Sequence, residues 1–181
     1  MSKRRIITYR VLLAIMAIML IPRVKVNAQR LNYEIVSMYV YNFTKYIVWP
    51  DDKANNDFVV AVYGDSPLTS LLNKYISSKH VGQRSIVVKV IKSLDEASGC
   101  SILFVPSDQS SKIKQLSEQL KGKPVLIISE KYGQSKKGAS ISIFLDEDDD
   151  DKTKFDICKT VIVSNGLIIS SNLLKLASQV N

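Results

Sequence analysis

Few residues in this chain have the type and spacing to do chemistry. His80 is the sole histidine, so neither a multi-histidine zinc site nor an H-E-x-x-H helix can be built. A Ser-His-Asp triad remains arithmetically open, but no G-x-S-x-G elbow presents a serine. His80 stands among Ser77, Ser78, Lys79 and Gly82, the composition of a solvated loop. The seven glycines lie too far apart for G-x-G-x-x-G or a phosphate loop, which argues against a nucleotide cofactor. No other cofactor and no metal is called for. The acidic run from Asp146 to Asp151 has the oxygen density to attract Ca²⁺. It lacks the glycine and terminal glutamate of an EF-hand loop, so the expectation is a solvated hairpin tip, neutralised in part by Lys152 and Lys154.

Cys100 and Cys158 are the remaining reactive groups, and a redox role or a disulfide depends on compartment and geometry. Each adjoins an expected central strand, where a cysteine acts as a small buried hydrophobe. Other strands should separate them, whereas a bridge needs Cα atoms within about 7 Å. Six aromatics fall between Tyr33 and Trp49, more than one buried stripe requires. Tyr33 and Tyr41 are therefore candidates to line a ligand pocket or a partner surface. Asn42-Phe43-Thr44 is formally a glycosylation sequon, but it lies inside an expected packed helix.

The elements that must position these residues follow from length, charge and periodicity. The 181 residues fit one domain with an appendage. The net charge of +8 suggests a nucleic-acid partner until the cations are located. Residues 1–28 hold six of the 25 Lys and Arg and no acid, leaving 19 cations against 17 acids. A remainder of +2 is no footprint for a polyanion, so nucleic acid is excluded as a partner.

Residues 1–28 carry basic Lys3, Arg4, Arg5 and Arg10, an apolar run over 11–21, and small residues up to Ala28. This is the pattern of a secretory signal with cleavage after Ala28. Eleven apolar residues reach about 17 Å, short of a hydrocarbon core about 30 Å thick, so no direct membrane insertion is expected. A periplasmic location follows.

Residues 29–181 read as a single domain. Over 31–48 the spacing of Ile35, Tyr39, Phe43 and Tyr46 predicts a helix ended by Trp49-Pro50. The run at 58–63 reads as a strand covered on both faces, 86–91 and 102–105 as further β-branched strands, and 125–129 as a fourth central strand. Helices are expected after Ser66-Pro67, with Leu68, Leu71, Leu72, Tyr75 and Ile76 inward, and over 110–120, with Ile113, Leu116 and Leu120 inward. Residues 141–145 and 154–158 pair as a hairpin across the acidic run. A short extended piece at 166–169 precedes a helix over 172–180 that buries Leu173, Leu176 and Ala177. The order predicts an α/β fold: a three-layer sandwich with a mainly parallel central sheet, a C-terminal β-hairpin and a terminal helix.

Tyr39-Val40-Tyr41-Asn42-Phe43-Thr44-Lys45-Tyr46-Ile47-Val48-Trp49-Pro50 is similar to the N-terminal helix signature of the YfiR family of exported bacterial proteins. Val62-Tyr63-Gly64-Asp65-Ser66-Pro67, Gly99-Cys100-Ser101-Ile102-Leu103-Phe104, Pro124 to Ser129, Gly138-Ala139-Ser140-Ile141, Phe155-Asp156-Ile157 and Gly166 to Ala177 follow in register. Cys158 stands where the family commonly has asparagine, and the acidic tip has no equivalent. The resemblance implies a non-enzymatic periplasmic regulator, a homodimer, that represses an inner-membrane sensor or diguanylate cyclase through its periplasmic portion. Independently of the resemblance, Ser170, Ser171, Asn172 and Leu174 are the candidate partner contacts, because Leu174 lies one residue off the Leu173 and Leu176 stripe. A small-ligand module built on the aromatic helix is the competing class.

Overall fold

The computed structural model describes residues 31–50, 57–146, 148–149 and 152–181. The expected signal segment with its cleavage point lies outside the described residues, as do Glu147, Asp150 and Asp151 of the acidic run.

Asn32 caps the first helix by accepting the Glu34 N–H at 2.9 Å. That helix, α1 (Tyr33–Phe43), buries Val36, Val40 and Phe43 at spacings of four and three. It stops earlier than its apolar spacing predicts. Thr44, Lys45 and Tyr46 donate their N–H groups three residues back, and the chain then extends as β1 (Ile47–Val48). The strand β2 (Phe58–Tyr63) is fully internal. Ser66 Oγ accepts the Leu68 N–H at 3.2 Å at the start of α2 (Leu68–Ile76), whose Leu68, Leu72 and Ile76 are buried. His80 lies exposed in the two-residue strand β3 (His80–Val81), paired antiparallel with β4 (Arg84–Ile91).

A short 3-10 segment leads to β5 (Ile102–Val105). The next helix begins as a 3-10 segment over Ser107–Lys112 and becomes regular only in α3 (Ile113–Gln119). Ile113, Leu116 and Leu120 are buried, as their spacing predicts. After β6 (Leu126–Ser129), the hairpin β7 (Ile141–Asp146) and β8 (Lys152–Ile157) pairs antiparallel with Ser142 opposite Asp156. The chain closes through α4 (Lys159–Ser164), β9 (Ile168–Ile169), α5 (Ser171–Leu176) and β10 (Gln179–Val180).

The main sheet has the order β10-β8-β7-β6-β5-β2-β4-β3. Its five central strands, β7 through β4, are parallel to one another. Period-two alternation divides two cores across this sheet. Phe58, Val60, Val62, Ile102, Phe104, Leu126 and Ile128 pack with Val36, Val40, Phe43, Leu68 and Leu72 of α1 and α2 and with Ile162 and Leu173 from the C-terminal helices. Ala61, Tyr63, Leu103, Val105 and Ile127 pack with Ile113, Leu116 and Leu120 on the other side. The result is a three-layer α/β sandwich with a mostly parallel sheet.

The terminal helix differs from its prediction. It ends at Leu176, and Gln179 and Val180 pair parallel with Asp156 and Ile157 as an edge strand. Leu173 is buried, but Leu176 is 63% exposed.

At Gly138 the backbone has φ of +112°, and a Cβ there would stand 2.5 Å from Cβ and Oγ of Ser117 on α3. Gly138→Ala is therefore expected to cost about 1–3 kcal/mol from backbone strain, with the clash adding to it. The check is a lowered denaturation midpoint at unchanged m-value.

Candidate docking surface

β1 and β9 form a separate two-stranded ribbon, Ile47 opposite Ile169 and Val48 opposite Ile168. The Ser170 N–H donates to the Tyr46 carbonyl at 2.8 Å and extends the pairing by one step. One face of the ribbon lies on the core through Ile47 and Ile169. By the same alternation Val48 and Ile168 point outward, 58% and 67% exposed, as a directly opposed apolar pair. Val163 on α4 and Leu176 on α5, the helices that precede and follow β9 in the chain, are exposed as well. Singly exposed apolar residues such as Met38, Val90 and Tyr132 are ordinary, whereas two β-branched side chains directly opposed on one ribbon form a candidate interaction surface.

Beside this ribbon is a cleft of about 450 Å³, lined by Ile47, Val48, Trp49, Pro50, Phe58 and Arg84 among others. Its base is held firmly. Trp49 donates its indole N–H to the Ser101 carbonyl at 3.0 Å, and its ring meets Phe58 edge to face at 4.9 Å. The Arg84 guanidinium lies 5.0 Å from the Phe58 ring centre and donates to the Asp57 carbonyl and Ser101 Oγ at 2.8 and 3.0 Å. A rigid, mostly apolar depression next to an apolar ribbon can accept a partner side chain; it presents no nucleophile and base in contact.

Of the partner contacts expected from sequence, Ser170 is a structural joint: its hydroxyl caps α5 by accepting the Asn172 N–H at 3.2 Å. Ser171 and Asn172 are exposed beside it. Leu174 is half-buried against the core, and Leu176 is the leucine that faces outward. Tyr33 and Tyr41 engage different neighbours. The Tyr33 hydroxyl donates to Glu130 Oε1 at 2.6 Å. Burial pushes the Glu130 carboxyl up, and that hydrogen bond partly offsets the rise. The Tyr41 ring instead lies beneath the ammonium groups of Lys45 and Lys79, at 4.8 and 5.3 Å.

No disulfide joins Cys100 and Cys158. They flank β5 and β8, which β7 and β6 separate, a lateral distance of about 14 Å. The Cys100 thiol donates to the Ala97 carbonyl at 3.0 Å. Nothing in the sequence singled out Val48 or Val163, and Leu176 was expected in the core, whereas Ile168, in a two-residue strand after the Gly166 turn, had a detectable signal.

At the acidic tip, lysines engage the described carboxylates. Lys154 Nζ lies 2.6 Å from Asp146 Oδ2 and 2.8 Å from Asp149 Oδ2, and Lys152 Nζ lies 2.8 Å from Asp149 Oδ1. Hydrogen bonds from Lys152 and then Lys154 bring the Asp149 carboxyl down to about 2, and Lys154 also lowers Asp146. Folded-state values below the unfolded ones stabilise the fold above about pH 4, and this contribution is lost as pH falls toward 2. Lys154→Met should flatten that part of the melting-temperature profile while leaving the slope from other carboxylates. Among the described residues no group of three or more His, Cys, Asp or Glu is placed to hold a metal ion.

Comparison with known proteins agrees with this architecture. A conserved domain protein from Vibrio cholerae O1 biovar El Tor superposes with a TM-score of 0.55 at 12% identity, over 82% of this chain and 60% of that one. The ABC domain from Streptococcus pneumonia, solved in complex with L-Trp, follows at a TM-score of 0.48 and 15% identity, over 69% of this chain and 55% of that one. The chain thus spans little more than half the length of either. At 12% identity the likeness to the Vibrio cholerae protein shows the fold alone. No curated protein matches the sequence closely enough to count as a relative. Among the described residues no helix is long and apolar enough to cross a membrane. The family model for YfiR/HmsC-like proteins matches residues 33–178, from the first residue of α1 to the approach to β10. The chain belongs to the YfiR/HmsC-like family, a family of exported regulators of signalling.

Proposed function

We propose that this protein, cut after Ala28 and released into the periplasm, binds the periplasmic portion of an inner-membrane signalling protein and represses it. A diguanylate cyclase is the partner that the YfiR resemblance favours. The protein acts as a homodimer and performs no catalysis of its own. Its mechanism is a population shift: one state of the domain binds the inactive receptor better, and a signal that favours the other state releases it.

The outward Val48–Ile168 pair is the observation that carries this reading. Two β-branched side chains on a ribbon fixed to the core offer pre-ordered apolar area, and the cleft lined by Val48 and Trp49 adjoins it. Ordering costs little when the contact surface is already rigid. Deleting the gene should raise cellular cyclic di-GMP, and restoring the native chain should lower it again. Restoring an Ile168→Asp chain at equal abundance should leave it high. An unchanged level on deletion would overturn the cyclase as partner, and full repression by Ile168→Asp would overturn the ribbon as the docking surface.

A further inference from the structure

On the sheet face opposite α1 and α2, a polar row crosses four neighbouring strands. Register places Ser129 of β6 beside Ser142 of β7, Ser142 beside Asp156 of β8, and Asp156 beside Gln179 of β10. The Ser142 hydroxyl is used, accepting the Ser135 N–H at 2.6 Å. Asp156 is different: its residue is 1% exposed, and neither carboxylate oxygen receives a hydrogen bond. Gln134 Oε1 and Ser129 Oγ, also buried, are in the same position. Acceptors left dry in this way cost free energy that a donor would return. Burial pushes the Asp156 carboxyl up. The Lys136 ammonium and the nearby Gln179 amide, which does not reach hydrogen-bonding geometry, offset part of the rise.

Asp156 lines a cleft of about 470 Å³ together with Tyr132, Phe144, Asp146, Asp148 and Gln179. Tyr132 and Phe144 meet edge to face at 4.7 Å between ring centres, and Tyr132 is largely exposed. The volume suits a small organic ligand. Asp146 on its wall is paired with Lys154, which leaves Asp148 and Asp156 to disfavour an anion, and the aromatic rings beside them favour a cation with an apolar body.

We propose that this cleft binds a small primary amine, its ammonium donating to Asp156 and its apolar or aromatic body lying against Tyr132 and Phe144. The site is independent of the apolar ribbon and of whichever protein docks there. Lys136, exposed on the loop before β7, is the chain's own competing cation, so removing it should strengthen binding.

Calorimetric titration of the mature chain with phenethylamine and tryptamine tests this, with 2-phenylethanol and phenylacetate as neutral and anionic counterparts. Saturable binding of the amines at least about tenfold tighter than the alcohol is expected, with no detectable binding of the anion. Asp156→Asn should weaken amine binding about tenfold or more, Tyr132→Ala several-fold, and Lys136→Met should tighten it. Absence of amine binding, equal binding of the alcohol, or unchanged affinity in both Asp156→Asn and Tyr132→Ala would overturn the proposal. If Asp156→Asn does not fold, the exposed Tyr132→Ala and Lys136→Met substitutions decide: no change in either contradicts it.

Discussion

Phe43→Ala is expected to remove about 3–5 kcal/mol of folding stability, the usual range for deleting a buried phenylalanine ring. Phe43 is buried at the end of α1 and meets Phe155 of β8 edge to face at 5.3 Å. Tyr39, one turn earlier, stacks on Phe43 at 6.0 Å, approaches Phe155 at 5.6 Å and donates its hydroxyl to the Thr153 carbonyl at 3.1 Å. These three rings tie the first helix to the hairpin more than a hundred residues later. A domain of this size has a total stability of about 5–15 kcal/mol, so the loss is a large part of it. Phe43→Leu, which refills most of the volume, should cost clearly less. Chemical denaturation compares the two. A loss below about 1 kcal/mol for Phe43→Ala would mean that α1 does not pack on β8 in this way.

Ile168→Asp should reduce affinity for the signalling partner about 100-fold or more, equivalent to about 2.7 kcal/mol. A carboxylate forced into an apolar contact loses water and gains no counter-charge, the costly case in interfaces. The same substitution should leave folding stability within about 0.5 kcal/mol, because Ile168 already faces solvent. Val48→Asp should behave alike, being directly opposite on the ribbon. Val90→Asp is the control: Val90 is an exposed apolar residue of β4, outside the ribbon, and its substitution should not change binding. Parallel melting curves and titrations with the purified periplasmic portion of the partner separate these outcomes.

The sheet and its two cores were legible because each central strand is a short apolar run whose alternate residues both find cover. Phe58 to Tyr63 and Ile102 to Val105 carry that information locally, and so do the inward spacings of α2 and α3. The docking ribbon was not legible. Ile47 and Val48 continue the apolar spacing of α1, and only pairing with Ile168 and Ile169, some 120 residues away, makes extended backbone the better solution. The C-terminus shows the same competition: residues 177–180 continue a helical pattern, yet Gln179 and Val180 gain more by bonding along β8. In both places long-range backbone pairing overrides local propensity. It also hid the outward Val48–Ile168 pair. The loss of hydrogen-bonding partners at Asp156 was equally invisible, since Phe155-Asp156-Ile157 reads as ordinary strand alternation.

Site-specific photocrosslinking from position 168 in intact cells is the sharpest test of the ribbon as the docking surface. A covalent adduct between the processed chain and an inner-membrane signalling protein is expected from position 168, absent when the crosslinker sits at exposed Lys114 on α3. An unprocessed chain held in the cytosol, or identical adduct patterns from both positions, would contradict it.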